Sequence, residues 1–209
     1  MNTPALTPLA QALPIHHPLL KVTHYVLDLE TLGKGPNAAI ATIGCVRIVN
    51  GQIGAGFYRR VNVESAIACG GQTDASTIEW WLQQSEESRA EIHDHLNRLP
   101  FNEALHGLAE FIGQPAFTHG KPCVWGNGAT FDNVIITTAY QRSHIERPWH
   151  YTNDRDLRTL VDLYPEAKAS TAFVGDKHHA LDDAMHEARI LCAALALHTA
   201  AHNTARSTP

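Results

Sequence analysis

Runs of apolar, mostly β-branched or aromatic residues alternate with polar turns in the first half of the chain. This pattern predicts strands over residues 24–30, 38–49 and 54–61. The sequence Asn-Gly-Gln at 50–52 fits a tight connection between the second and third strands. We therefore predict that these two strands form a hairpin.

Further along, the spacing of apolar residues changes to a helical period. Ser76 and Glu79 stand three residues apart, as in a capping box, and predict a helix that carries Trp80 and Trp81. Three strands followed by helix, strand and helix predict an α/β fold, a mixed sheet flanked by helices. The later predicted elements are helices over 102–113, 131–142, 154–164 and 180–201, and a strand over 123–126.

The length of 209 residues suits one domain. Residues 1–21 are predicted to be a flexible arm, because prolines and histidines interrupt the apolar run that a secretory signal would need. The domain is predicted over 22–201, followed by a flexible tail over 202–209.

Composition narrows the class of protein further. Without an apolar run of about 18 residues, no membrane span is expected. The four cysteines form no Cys-x-x-Cys pair, which favours isolated reduced thiols in a cytoplasmic protein. A net charge of −5 argues against a protein that coats nucleic acid generally. It permits an enzyme that meets nucleic acid through metal ions and a few arginines.

Two carboxylates at the end of the first strand raise the question of function. Because side chains alternate across a strand, Asp28 and Glu30 share one face with Val26, opposite Tyr25 and Leu27. Two acids this close repel each other. An exposed strand end is the simplest explanation, and a cation site is the alternative.

Two more acidic sites follow along the chain. Asp132 comes after a strand and a glycine-rich turn, in the first turn of the next predicted helix. Asp182 and Asp183 stand in the first turns of the last helix, just after His178 and His179. Each of these acids, taken alone, is also explained by the favourable field of a helix N-terminus.

Taken together, the three sites predict a metal centre. Strand ends and helix N-termini are where open sheets gather ligands. Four carboxylates, with either Asp182 or Asp183 as the fourth, suit the hard cations Mg²⁺ or Mn²⁺. Two such ions ~3.5–4 Å apart would offset the repulsion and clamp a phosphodiester for in-line attack.

These residues resemble the motifs of a known family, the DEDDh 3′→5′ exonucleases of the ribonuclease H-like fold. Asp28-Leu29-Glu30 matches the first motif, Asp132 the second, and His178 with Asp183 the third. The surrounding stretches are most similar to the branch of phage exonuclease A and RNase T-like exoribonucleases, over residues 22–197. The resemblance implies an α/β fold with a mixed sheet of about five strands flanked by helices.

The resemblance also implies an activity and roles. The enzyme would release nucleoside 5′-monophosphates from the 3′ end of DNA or RNA, single-stranded or overhanging. His178 would be the general base, for which the ordinary histidine pKa of ~6.5 is suited. His179 is the alternative base, since His178 converges with Asp183 only from a loop before the helix. The implied metal ligands are Asp28, Glu30, Asp132 and Asp183.

Several other residues are candidate substrate contacts. Thr31 and Leu32 occupy the segment that approaches the terminal nucleotide in the family. At least one tryptophan of the pair is expected in the core, and the other could stack on a base or serve a protein interface; Trp81 is the predicted substrate contact. The remaining candidates, each with a capping, packing or surface-pairing alternative, are Asn127, Phe131, Asn133, Arg155 and Arg158.

Two other functions compete with a 3′→5′ exonuclease. One is a catalytically inactive nucleic-acid-binding relative, although such relatives usually lose an acid or the histidine. The other is a structure-specific endonuclease. Relatives are often homodimers, and the helix of Trp80 and Trp81 is a candidate interface.

Overall fold

The computed structural model describes residues 22–113 and 121–207. The predicted arm, residues 1–21, and the last two residues of the predicted tail lie outside these ranges. The final helix continues to Ser207, past the predicted domain end at residue 201.

Strands come first along the chain and helices later. The strands are β1 (His24–Thr31), β2 (Ile40–Val49), β3 (Gln52–Val61), β4 (Arg98–Leu99), β5 (Cys123–Gly126) and β6 (Asp154–Asp156). The helices are α1 (Val63–Ala68), α2 (Ala75–Leu82), α3 (Glu86–His93), α4 (Phe101–Gly113), α5 (Asp132–Arg142), α6 (Leu157–Leu163), α7 (Pro165–Ala169) and α8 (Ala180–Ser207).

The strands form one mixed sheet in the order β4-β3-β2-β1-β5-β6. β1, β2 and β3 are antiparallel, whereas β5 runs parallel to β1 and β6 parallel to β5. The predicted mixed sheet is confirmed, with six strands in place of about five. β1 lies inside this sheet, so its side chains meet helices on both faces.

The predicted hairpin of β2 and β3 is also confirmed. Asn50 and Gly51 both have positive φ, 53° and 74°, as a two-residue turn between twisted antiparallel strands requires. Val49 pairs with Gln52 across this turn.

The predicted capping box is wrong. α2 begins at Ala75, with Asp74 preceding it, so Ser76 already lies within the helix. The Asp74 carboxylate instead accepts a hydrogen bond from the backbone N–H of Lys34, 2.7 Å away. A tertiary contact has replaced the local cap.

The predicted helix over 154–164 is wrong in its first turn. Residues Asp154–Asp156 form β6, whose backbone pairs with β5. α6 begins only after Asp156, whose carboxylate caps it by accepting from the N–H of Thr159. Arg155 and Arg158 therefore do not share a helical face.

Two apolar clusters cover the two faces of the sheet. Tyr25 and Leu27 of β1 pack in the cluster that contains the buried residues of α4 and α5. Val26 packs in the other cluster, under α8. By strand alternation, Asp28 and Glu30 lie on the α8 side.

The N-terminus of α8 lies directly on the backbone of β2. Gly44 pairs with Asp28 of β1, and a Cβ at Gly44 would lie 2.1 Å from the carbonyl oxygen of Ala180. Ala180 is the first residue of α8 and is fully buried. The missing side chain at Gly44 thus brings the start of α8 against the acidic end of β1.

Gly44→Ala is expected to lower the free energy of unfolding by about 1–3 kcal/mol or more, because its methyl group would overlap backbone atoms of α8. Gly35→Ala is the matched control, since a Cβ there meets nothing within 4 Å. Urea unfolding of both variants measures the difference. Equal stability would show that α8 moves away from the sheet without cost.

Two further observations concern the whole described chain. Among the helices of residues 22–113 and 121–207, none has the length and apolar character that crossing a bilayer requires. All four cysteines are free.

Candidate active site

Asp28 and Glu30 lie at the carboxyl end of β1 and are half-buried. Because the backbone of α8 lies against Gly44, which pairs with Asp28, both carboxylates face the first turns of that helix. Burial raises the pKa of Asp28 well above its ordinary value, and the charge of Glu187 raises it further. The pKa of Glu30 is raised in the same way, by burial and then by the charge of Asp183.

Asp132 reaches the same place from the other side of β1. It is the first residue of α5 and is buried. Its Oδ1 accepts a hydrogen bond from the backbone N–H of Leu29, 3.2 Å away. Because Leu29 stands between Asp28 and Glu30 in the chain, this bond holds the Asp132 carboxylate beside the end of β1 that carries both acids. Burial raises the pKa of Asp132 to about 7, against the lowering effect of this hydrogen bond.

Asp183 and His178 complete the cluster from the start of α8. The backbone N–H of His178 donates to Oδ2 of Asp183 at 2.7 Å. A carboxylate oxygen of Glu30, one of Asp183 and a ring nitrogen of His178 all lie within 4.8 Å of one another. His178 precedes the helix, so the loop position that convergence with Asp183 requires is present.

His179 and Asp182 point elsewhere. The His179 ring stacks on Tyr58, with centroids 4.6 Å apart, and its Nε2 lies 3.9 Å from Oε1 of Glu91. Asp182 accepts a hydrogen bond from the N–H of Asp176. The structure therefore brings His178 and Asp183, rather than their neighbours, to the acids of β1.

The converging side chains line one cavity of about 260 Å³. Its lining is dominated by oxygen ligands, the donor type that Mg²⁺ and Mn²⁺ prefer. Burial and mutual repulsion raise the pKa values of its carboxyls. A bound cation would therefore reduce the electrostatic repulsion between the ionised carboxylates. The lining residues are Asp28, Leu29, Glu30, Asn127, Phe131, Asp132, His178, Asp183 and Glu187.

A family model described as the 3′-5′ exoribonuclease Rv2179c-like domain matches residues 23–195. The chain belongs to this family. No curated protein matches the sequence of this Rv2179c-like domain.

Solved structures similar to the Rv2179c-like domain show the same fold. The nuclease domain of 3′hExo, a DEDDh family member bound to rAMP, is 16% identical with a TM-score of 0.56, covering 83% of this chain and 91% of that one. E. coli Exonuclease I in complex with a dT13 oligonucleotide is 15% identical with a TM-score of 0.56, covering 83% of this chain. The match spans 40% of the Exonuclease I chain. The predicted ribonuclease H-like fold is thereby confirmed.

Glu187 is a site residue that the sequence analysis missed. It is 5% exposed and lines the cavity together with Asn127. Its Oε2 is buried with no hydrogen-bond partner. The available signal was its spacing, since Glu187 follows Asp183 by four residues and so lies on the same face of α8. The Rv2179c-like domain thus places five carboxylates around one cavity.

The exposed tryptophan is Trp80 rather than Trp81. Trp81 is 1% exposed and donates its indole N–H to the carbonyl of Thr31 at 2.9 Å, so its ring is not open to a base. Our choice of Trp81 as the substrate contact is therefore corrected. Trp80 is 40% exposed, and its ring meets that of His178 edge to face, with centroids 4.9 Å apart.

Of the other candidate contacts, Asn127 and Phe131 line the cavity. Thr31 is buried and donates its hydroxyl to the carbonyl of Gly33. Leu32 follows directly after β1 and is half-buried. Arg158 donates to the carbonyl of Asn127 at the rim of the cavity.

Asn133 and Arg155 are not brought to the cavity. The amide of Asn133 donates to the carbonyl of Val124 and to Oδ1 of Asp154. Arg155 donates to the carbonyls of Thr152 and Asp154. Both residues support the backbone around β5 and β6 in this structure.

The raised pKa of Asp132 predicts how pH affects stability without metal. Its carboxyl binds a proton more tightly in the folded protein, so stability is lost as pH rises from about 4, the ordinary range, towards about 7. Asp132→Asn avoids this loss and keeps an acceptor for Leu29. We expect the difference between the melting temperatures of Asp132→Asn and the native chain, both in EDTA, to increase as pH rises across this window. A difference that stays constant or shrinks would contradict the raised pKa.

Proposed function

We propose that the chain is a metal-dependent 3′→5′ exonuclease that releases nucleoside 5′-monophosphates one at a time. The observation that carries this proposal is the convergence of His178 with acidic side chains from β1, α5 and α8 in one cavity. Family membership supplies the reaction class. Each element of the three motifs contributes to the same site.

Two divalent cations, Mg²⁺ or Mn²⁺, are proposed to occupy this site. Their ligands would come from Asp28, Glu30, Asp132 and Asp183, with Glu187 as a further acid beside them. When bound, such ions activate water and stabilise the charge on the leaving 3′ oxygen. The five carboxylates supply the negative charge that attracts such ions.

His178 is proposed to take the proton from the attacking water. Its ring nitrogen lies within 4.8 Å of oxygens from both Glu30 and Asp183, so it faces the place where the water would be held. The rings of Trp80 and Trp81 pack against the His178 ring and restrict its rotation. A general base at this position contributes ~10²–10⁴-fold to the rate.

The terminal nucleotide is proposed to lie between the cavity and α2. Trp80 offers an exposed ring next to His178, suited to stacking on a base. Phe131 lines the cavity and Leu32 directly follows β1, so both are proposed as apolar contacts, and Arg158 at the rim offers a cation for a phosphate. Asn127 also lines the cavity and offers its side-chain amide to a phosphate or sugar oxygen.

The 3′ end of single-stranded or overhanging RNA is the proposed substrate. The matching family is described as exoribonucleases, which favours RNA. E. coli Exonuclease I was solved with a DNA oligonucleotide, so DNA belongs in the test.

A catalytically inactive binding relative is the second candidate function. Such a relative would have lost an acid or the histidine. Here all the motif acids and His178 are present and converge, which favours the enzyme.

The deciding experiment is a gel with 5′-labelled single strands of RNA and DNA of one sequence. We expect a ladder shortening from the 3′ end with Mg²⁺ or Mn²⁺, and none with EDTA or with Asp28→Asn. The preferred sugar follows from the relative rates. Binding of the strands without cleavage under either metal would favour the inactive relative.

The homodimer stays a prediction. The exposed apolar side chains of α2 include Ile78 and Leu82, which lie apart from the Trp80–His178 contact. Light scattering of the native chain and of Leu82→Glu would test whether this helix forms an interface.

A further inference from the structure

The backbone of His178 has an unusual conformation. Its φ is +64°, in the left-handed region that is uncommon for residues other than glycine. Glycine would adopt this conformation freely, yet the chain carries the histidine that faces the acids. Such a conformation persists only when the surrounding structure holds it in place. The contacts of the two neighbouring residues show what holds it.

Helix α3 forms a hydrogen bond with the residue before His178. The Ser88 hydroxyl donates to the carbonyl of Lys177 at 2.9 Å, a contact between residues 89 positions apart. Ser88 is buried, so this hydrogen bond is shielded from water. The peptide that enters His178 is therefore tied to α3.

Helix α3 also holds the residue after His178. Glu91 is 2% exposed, and its carboxylate accepts hydrogen bonds from the Tyr58 hydroxyl at 2.8 and 3.0 Å. The His179 ring stacks on Tyr58 and lies with its Nε2 3.9 Å from Glu91 Oε1. Arg60 also contacts Glu91, at 3.4 Å, and so fixes the carboxylate from the β3 side.

We propose that Ser88 and Glu91 are positioning residues that hold the segment 177–179 so that His178 faces the acids. This inference rests on the proposed function, in which His178 is the general base. Ser88 acts on the carbonyl of Lys177 and Glu91 acts through Tyr58 and His179, so neither touches the reacting atoms. With these contacts removed, the backbone N–H of His178 still donates to Asp183, but the peptides on either side are no longer tied to α3 and the His178 ring shifts from its position.

The test compares Ser88→Ala and Glu91→Gln with the native chain. Each variant is expected to lower kcat by about 10- to 10²-fold, because misplacing a catalytic group has effects of this size. KM for the oligonucleotide should be unchanged in both variants. Mn²⁺ affinity by calorimetry should be unchanged in Ser88→Ala, which removes no charge and leaves the carboxylates of the cavity untouched. Ser88→Thr keeps a hydroxyl and should restore kcat. Glu86→Gln, exposed on the same helix, is the control that should behave as the native chain.

A double-mutant cycle separates positioning from a general effect on the fold. In a His178→Asn background the side chain tolerates the left-handed backbone but supplies no base. Ser88→Ala should then cause no further loss of kcat, because the two residues act as one unit. An additive loss, or full kcat in Ser88→Ala, would overturn the positioning role while the exonuclease stands. An inactive native chain would overturn the proposed function itself. If Glu91→Gln does not fold, the Ser88 cycle still decides.

Discussion

Asp28→Asn is expected to lower the rate of hydrolysis by more than about 10³-fold, and also to stabilise the metal-free protein. The rate falls because a ligand of the proposed metal site is lost. Stability rises because the pKa of Asp28 is raised by burial and by the charge of Glu187, so its ionised form is unfavourable in the folded state. Each kcal/mol gained would raise the melting temperature by about 2–4 °C.

Both effects are measured on the same preparation, by the strand-shortening assay and by thermal unfolding in EDTA near neutral pH. Asp162→Asn, an exposed residue of α6, is the matched control and should change neither quantity. Divalent metal should stabilise the native chain more than Asp28→Asn. A variant that is both active and less stable would contradict the role of Asp28 in a strained acidic cluster.

His178→Ala is expected to lower kcat by ~10²–10⁴-fold with little change in metal affinity. The reason is that the ring nitrogen next to Glu30 and Asp183 is removed, while the carboxylates stay in place. His178→Asn should show the same loss, which separates the missing base from a change in the backbone.

His179→Ala is the comparison that tests the choice of base. The His179 ring stacks on Tyr58 and lies near Glu91, away from the acids of the cavity. We therefore expect a smaller loss of kcat, caused by a shift in the position of His178. Single-turnover rates of all three variants measure the chemical step directly. A larger loss in His179→Ala than in His178→Ala would transfer the role of base to His179.

Local patterns were sufficient where one element carries the whole signal. The two-residue period of β1 placed Asp28 and Glu30 on the face opposite Tyr25 and Leu27, and the two apolar clusters agree with it. Asn50-Gly51 predicted the hairpin because its conformational preference is intrinsic to those residues. The order of the acidic motifs indicated a family of 3′→5′ exonucleases, and the match to the 3′-5′ exoribonuclease family model confirms that activity class.

Local patterns failed where a distant partner decides. The pattern over 154–164 predicted one helix, but the backbone of Asp154–Asp156 pairs with β5. The predicted capping box at Ser76 does not form, because the helix begins at Ala75, directly after Asp74. The Asp74 carboxylate accepts a hydrogen bond from the backbone N–H of Lys34. Both outcomes follow from contacts between segments far apart in the chain, which no local period encodes.

The sequence by itself determined the family, the α/β fold and the set of acids, because these follow from residue identity, order and period. Only the tertiary structure decided which neighbour faces the cavity. Trp80 is exposed and Trp81 buried because Trp81 bonds to Thr31 of β1. Glu187 joins the cluster because α8 rests on Gly44 and turns one face to β1. Which way the side chains of adjacent or regularly spaced residues point is set by how their elements pack against the rest of the protein.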